Sequence, residues 1–251
     1  MEDVTLQIAD QIGTITFGHP AQNSLPGHLL QKLASTIQAA GQDHEIRVIV
    51  LRSHGDRTFC AGASFDELAA INDLETGKKF FSGFAQVINA MRKCPKFIIG
   101  RIQGKAVGGG VGLAAAMDYC IASMHASVKL SELAVGIGPF VVGPACERKL
   151  GTAAFTQLAI NASEWQTAAW AKDKGLYQEC FDQLEQVDAY IAHLANILRQ
   201  YSPEASKALK EVAWAGTEDW DQLLDDRAMI SGRLVLSDFT KNAIAAFKQK
   251  A

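Results

Sequence analysis

What this chain lacks narrows its role first. Its 24 Lys and Arg stand against 27 Asp and Glu, a formal charge of -3, so no general positive field draws in nucleic acid or an anionic membrane. The most apolar stretch, 106–122, is interrupted by Asp118 and by Gly108, Gly109, Gly110 and Gly112. Its apolar pieces fall short of the ~20 residues that span a bilayer. The opening MEDVTLQIAD is acidic and alternating, without the basic and apolar regions of a signal peptide, so a cytoplasmic location is expected. The cysteines, Cys60, Cys94, Cys120, Cys146 and Cys180, form no CxxC pair and read as reduced structural thiols. The six histidines show no HExxH or i, i+4 pairing, and no G-x-S-x-G occurs. Neither a zinc site nor a serine nucleophile is therefore expected.

With 48% hydrophobic and 20% charged residues, the chain has the material for a large core. Alternation over 4–8 and 13–17 predicts an N-terminal hairpin. A helix is expected over 29–40, strands at 48–51 and 97–99, and a helix over 75–91 between them. A glycine-rich turn then leads into a helix over 111–117, with short strands near 120–121 and 128–130. From Ala153 onward the pattern reads as almost wholly helical. Val187, Tyr190, Ile191, Leu194, Ile197 and Leu198 recur at spacings of three and four, making 187–198 an amphipathic helix. An α/β core over 1–185 and a helical C-terminal part over 186–251 are the expected division, although no Pro/Gly/Ser-rich linker marks it.

Three segments can carry chemistry. In Phe59-Cys60-Ala61-Gly62-Ala63-Ser64-Phe65-Asp66-Glu67-Leu68, Ser64 and Glu67 fit a capping box, which places the backbone donors near Ala63 at a helix start. Taken alone, that is an ordinary capped helix. In Gly104-Lys105-Ala106-Val107-Gly108-Gly109-Gly110-Val111-Gly112-Leu113, successive glycines let a ligand approach the backbone, where free amides can bind an oxyanion or phosphate. The same glycines serve equally well for tight packing, and Gly108 with Gly112 fits a helix contact. In Lys129-Leu130-Ser131-Glu132-Leu133-Ala134-Val135-Gly136-Ile137-Gly138-Pro139-Phe140, a carboxylate sits among apolar residues, where a raised pKa suits proton transfer.

A rival reading is a dinucleotide site, since Gly110-Val111-Gly112-Leu113-Ala114-Ala115 matches G-x-G-x-x-A, with Glu132 about 20 residues on. Against it, residues 103–109 separate the strand from the first fingerprint glycine, where that turn should follow directly.

Taken together, FCAGASFDEL, GKAVGGGVGLAAAMDYCIAS and KLSELAVGIGP, in this order, resemble the crotonase (enoyl-CoA hydratase/isomerase) superfamily. The N-terminal hairpin, Asn23-Ser24-Leu25 and the helical tail extend the resemblance over nearly the whole chain. It implies an α/β spiral of ββα units with a helical C-terminal part, assembled as homotrimers or hexamers. It also implies an acyl-CoA substrate with no separate cofactor, the amides of Ala63 and Gly109 as an oxyanion hole, and Glu132 as acid/base. By the same resemblance, Cys60, Ala61 and Gly62 lie near the CoA adenine, and Phe65, Leu68, Gly112, Pro139 and Phe140 belong to the substrate pocket.

The family's hydratases commonly carry a second glutamate where this chain has Gly112. A single carboxylate is enough to move a proton from the α- to the γ-carbon of a 3-enoyl thioester, so isomerisation is favoured over hydration. A homologue that binds acyl-CoA with weak catalysis is the alternative. Two further departures are Ser64, where the family often has Asp, and Phe140-Val141-Val142, where it often has small residues, which narrows the acyl pocket. Asp118 is expected to anchor a helix end.

Overall fold

A computed structural model describes residues 2–248. In chain order, β1 (Asp3–Ala9) and β2 (Ile12–Gly18) precede α1 (Gly27–Gln42), and β3 (Val48–Ser53) and β4 (Thr58–Cys60) precede α2 (Phe65–Ala70) and α3 (Leu74–Lys93). Next, β5 (Ile98–Ile102) and β6 (Lys105–Val107) lead to α4 (Gly109–Ala116), while β7 (Tyr119–Ser123) and β8 (Ser127–Lys129) lead through a 3-10 turn (Glu132–Val135) to α5 (Gly143–Ile160). The remainder is β9 (Gln166–Thr167), α6 (Ala168–Asp173), β10 (Glu179–Phe181), α7 (Leu184–Leu198), α8 (Pro203–Ala213), α9 (Trp220–Leu234) and α10 (Asp238–Lys248).

The repeated unit of the spiral is visible in the pairing. β3, β5 and β7 are parallel neighbours in a six-stranded sheet ordered β1-β2-β3-β5-β7-β10. Each is followed within a few residues by a three-residue strand, β4, β6 or β8, and these pair in parallel as a second sheet that β9 completes. Helices then return the chain. The opening hairpin turns at Asp10 and Gln11, both at positive φ, the two-residue geometry that matches strand twist.

Two expectations change here. The region after Ala153 is mostly helical as expected but also holds two short strands, β9 adding to the small sheet and β10 to the large one. The glycine-rich helix begins at Gly109, two residues before the expected start. The helix expected over 187–198 is present within α7, and Val187, Ile191 and Ala195 pack on Val48, Val50, Ile99 and Ile121 of the large sheet. That buried apolar stripe, rather than helix propensity, is what stabilises such a helix.

Asp118 ties the α4–β7 corner to the C-terminal helices. Its carboxylate accepts from the Ile98 amide at 2.8 Å and the Trp214 indole N–H at 3.1 Å, and pairs with the buried Lys210 ammonium at 2.8 Å. The sequence expectation of an anchor holds, and its reach extends well beyond one helix end. Among the described residues, no helix is long and apolar enough to cross a membrane.

Candidate active site

The small sheet explains why three distant segments meet. β4, β6 and β8 run parallel side by side, and Ala61–Ala63, Gly108–Gly109 and Ser131–Glu132 leave their C-terminal ends. Ligand sites of parallel α/β sheets form at such ends, where successive chains turn away from one another. The spacing is tight. A Cβ built on Gly62 would stand 3.6 Å from the Gly109 nitrogen, and one on Gly108 would stand 2.9 Å from Glu132 Oε1. Gly108 also has φ +52° and donates its N–H to the Lys129 carbonyl at 2.9 Å. A side chain there would be strained and would strike the carboxylate.

Gly109 is the first residue of α4, so its N–H has no intrahelical acceptor. Among the described residues, no backbone carbonyl outside the helices and strands accepts from Gly109 or Ala63 either. Ala63 is held in place by a parallel bridge to Leu25, whose N–H donates to the Gly62 carbonyl at 2.8 Å. Behind this bridge stands Asn23, buried and at φ +55°. Its amide donates to the carbonyls of His54 at 2.8 Å and Thr58 at 2.7 Å, and its Oδ1 accepts from the His19 N–H at 3.1 Å. Asn tolerates this left-handed backbone better than most residues. Its bracing role was missed in the sequence, although an Asn beside a turn is the residue type that makes such local bonds.

Ser64 caps α2 by accepting the Glu67 N–H at 3.3 Å. The reciprocal half of the expected capping box is replaced, because Glu67 Oε2 accepts the Gly27 N–H at 2.8 Å instead. The carboxylate thus joins α2 to the start of α1.

Ala61, Gly62, Ala63, Gly109 and Glu132 border one cavity of about 820 Å³, together with Phe65, Leu68, Pro139 and Phe140. Two expected members lie elsewhere. Cys60 is fully buried behind the wall, with its thiol pushed up to about 12 by desolvation. Gly112 is inside α4, covered by Val142, whose Cγ1 would lie 2.4 Å from an added Cβ. Val141, Val142 and Phe140 all line the cavity, so the bulky segment after Pro139 does occupy pocket space. The phenyl groups of Phe80, Phe81 and Phe84 also line the cavity, and Phe84 packs against Gly109, where an added Cβ would meet its ring at 2.2 Å.

Glu132 stands out electrostatically. Its Oε2 is buried without a hydrogen-bond partner among the described residues, and burial pushes its carboxyl up to about 7. Water is withheld from the charged form and no cation replaces it. Cys146 on α5 lies close enough to respond, its thiol raised first by burial and then by the Glu132 charge. Among the described lining residues Glu132 is the only carboxylate. The dinucleotide fingerprint is absent as a structure, since Gly110 and Gly112 lie within a buried helix rather than in a turn, and an added Cβ on Gly110 would meet the Cys60 carbonyl at 2.5 Å.

Residues 7–250 match the sequence profile described as enoyl-CoA hydratase/isomerase. The chain belongs to this family. Rattus norvegicus methylglutaconyl-CoA hydratase, mitochondrial, is 32% identical over 75% of this chain and 60% of its own length. The short-chain-enoyl-CoA hydratase of Clostridium acetobutylicum is 27% identical over 100% of this chain and 96% of its own. A crystal structure of an enoyl-CoA hydratase from Mycobacterium avium superimposes with a TM-score of 0.87 at 26% identity, covering 98% of this chain and 96% of that one. The family acts on acyl-CoA substrates, and the spiral described above is the crotonase fold.

Proposed function

We propose that the protein is an enoyl-CoA isomerase. The Glu132 carboxylate takes a proton from the α-carbon of a 3-enoyl thioester and returns it at the γ-carbon. In between, the Ala63 and Gly109 amides hold the negative oxygen of the dienolate. Donors aimed at such an oxygen lower the barrier by about 3 kcal/mol each in a measured comparison, and a base with pKa close to neutrality both accepts and returns a proton readily. The observation that carries this reading is the single lining carboxylate with its unpartnered Oε2.

Hydration is the second reading, favoured by the names of the relatives. It asks for a water to be both positioned and activated, a task the family's hydratases commonly share between two glutamates. At the matching position here, Val142 stands over Gly112. The deciding experiment incubates the protein with matched 2-enoyl and 3-enoyl thioesters and follows both double-bond migration and addition of water. Migration of the 3-enoyl substrate without efficient hydration is the expected result. Efficient hydration with no migration overturns the proposal.

A further inference from the structure

We infer that Ser231 is a specificity-determining residue that hydrogen-bonds a neutral oxygen far along the acyl group, so that the substrate class is an oxygen-bearing acyl thioester of medium length. The inference rests on the thioester reading above and adds what that thioester carries at its acyl end.

Ser231 lines the cavity of Glu132 from α9 and is only 1% exposed. Other helical serines turn their hydroxyls back onto the helix, Ser35 to the Lys32 carbonyl and Ser82 to the Lys78 carbonyl. Ser231 makes no such bond, and its hydroxyl has no other partner among the described residues. A hydroxyl taken out of water and left unpaired costs free energy. The cavity is the side from which a partner can come.

Helix α3 shows how deep this hydroxyl stands. The Phe84 ring abuts Gly109, one of the two proposed oxyanion donors, and one turn back Phe80 and Phe81 line the cavity. One turn further, Gly77 meets Gly232 backbone to backbone. A Cβ on Gly77 would stand 3.1 Å from the Gly232 Cα, and one on Gly232 would stand 2.8 Å from the Lys78 nitrogen. Only glycines allow that approach, and it carries the neighbouring Ser231 to the cavity wall. From Phe84 to Gly77 the helix rises roughly 10 Å at about 1.5 Å per residue. Ser231 therefore lies about that far from the position of the thioester oxygen.

The wall between is apolar. Phe65, Leu68, Val135 and Ile137 join Phe80 and Phe81 there. A hydrocarbon chain fills this stretch and leaves Ser231 unpaired, whereas a chain with an oxygen at that depth pairs it. The oxygen is neutral. Lys129 is the only cation among the described lining residues, and its ammonium sits over the Trp165 ring at 4.7 Å. A carboxylate beside Ser231 would thus be buried without a counter-charge. Because a serine hydroxyl both donates and accepts, an alcohol or a ketone on the chain suits it.

Calorimetric titration with saturated, unreactive thioesters tests this without turnover. The quantity read is the affinity for 8-hydroxyoctanoyl-CoA relative to octanoyl-CoA. In Ser231→Ala this ratio is expected to fall about tenfold, the scale of one hydrogen bond lost against an unpaired group. The ratio for 4-hydroxybutyryl-CoA to butyryl-CoA, whose oxygen stops short of Ser231, should not move. A purely structural role would weaken all four probes together and leave both ratios unchanged, which overturns the inference. An equal fall in both ratios overturns it too, and suberyl-CoA binding more tightly than 8-hydroxyoctanoyl-CoA would contradict the neutral oxygen. If the unmodified protein bound these thioesters but rearranged no enoyl thioester, the reaction proposed above would fail while the ratios would still decide the role of Ser231.

Discussion

Two acids fourteen residues apart, Asp118 and Glu132, are both held away from water and are treated in opposite ways. Asp118 enters β7 with its carboxylate satisfied by an amide, an indole and an ammonium. Glu132 leaves β8 with Oε2 unsatisfied and a carboxyl raised to about 7. A buried charge with a full set of partners supports the fold, because removing any partner leaves the others unpaired. A carboxylate with one oxygen buried and unpartnered is disfavoured in its charged form, and such a group on a cavity wall is a functional-site candidate. Burial alone does not separate the two roles. The count of partners does.

The largest expected effect breaks the contrast on the Glu132 side. Glu132→Gln keeps the shape and removes the base, so double-bond migration should fall by about 10³-fold, within the range for general acid–base catalysis, while butyryl-CoA binding stays within a few-fold. Loss of binding together with activity would make Glu132 a structural residue like Asp118. On the other side, Asp118→Asn leaves the Lys210 ammonium buried beside a neutral amide. Urea unfolding should then show a loss of about 3 kcal/mol, with kcat of the folded fraction unchanged. Next in size is Asn23→Ala, which removes three hydrogen bonds behind the Ala61–Ala63 segment and places Ala at a positive φ. A loss of about 2 kcal/mol is expected, and kcat should fall more than KM rises because the Ala63 amide is less well held. The smallest effect is Phe140→Ala, which should shift preference toward longer or branched acyl chains by a few-fold in kcat/KM, about 1 kcal/mol of pocket contact. An unchanged chain-length profile would remove Phe140 from that role.

How much of this was legible from the residues differs between the two acids. Glu132 was a candidate because an acid embedded in apolar sequence can have a raised pKa, but alone it reads as readily as a glutamate beside a turn, and the two neighbouring motifs decided. Asp118 was read only as a local anchor, since its partners Trp214 and Lys210 are more than 90 residues away and no periodicity announces them. In the large sheet, β3 and β5 were readable as β-branched runs and β1 and β2 from alternation, whereas β10 lay in a stretch read as helical. Of the small sheet only β8 was readable, because strands of three residues such as β4 and β6 are too short to show alternation. That sheet nevertheless juxtaposes the three motifs. For Gly110 and Gly112, the packing alternative prevails over ligand approach, through contacts with Cys60 and Val142 that only the folded chain creates. One practical consequence follows for restoring a second carboxylate. Gly112→Glu alone collides with Val142, so the change must be paired with Val142→Ala.

The central claim is that Glu132 is a buried acid with one unpartnered oxygen, poised near neutrality, and a 13C titration of its carboxyl tests it most directly. The expected midpoint is about 7, in a signal absent from Glu132→Gln. Between the ordinary glutamate range and that midpoint, the folded protein holds a proton that the unfolded chain has released, so Glu132 makes stability fall as pH rises through this window. At pH 8 Glu132→Gln should therefore be the more stable protein by ~3 kcal/mol, a gain that disappears toward pH 4. A midpoint near the ordinary glutamate value of 4.5, with no pH-dependent gain in the Gln variant, would show that the carboxylate is solvated or paired and would contradict the account.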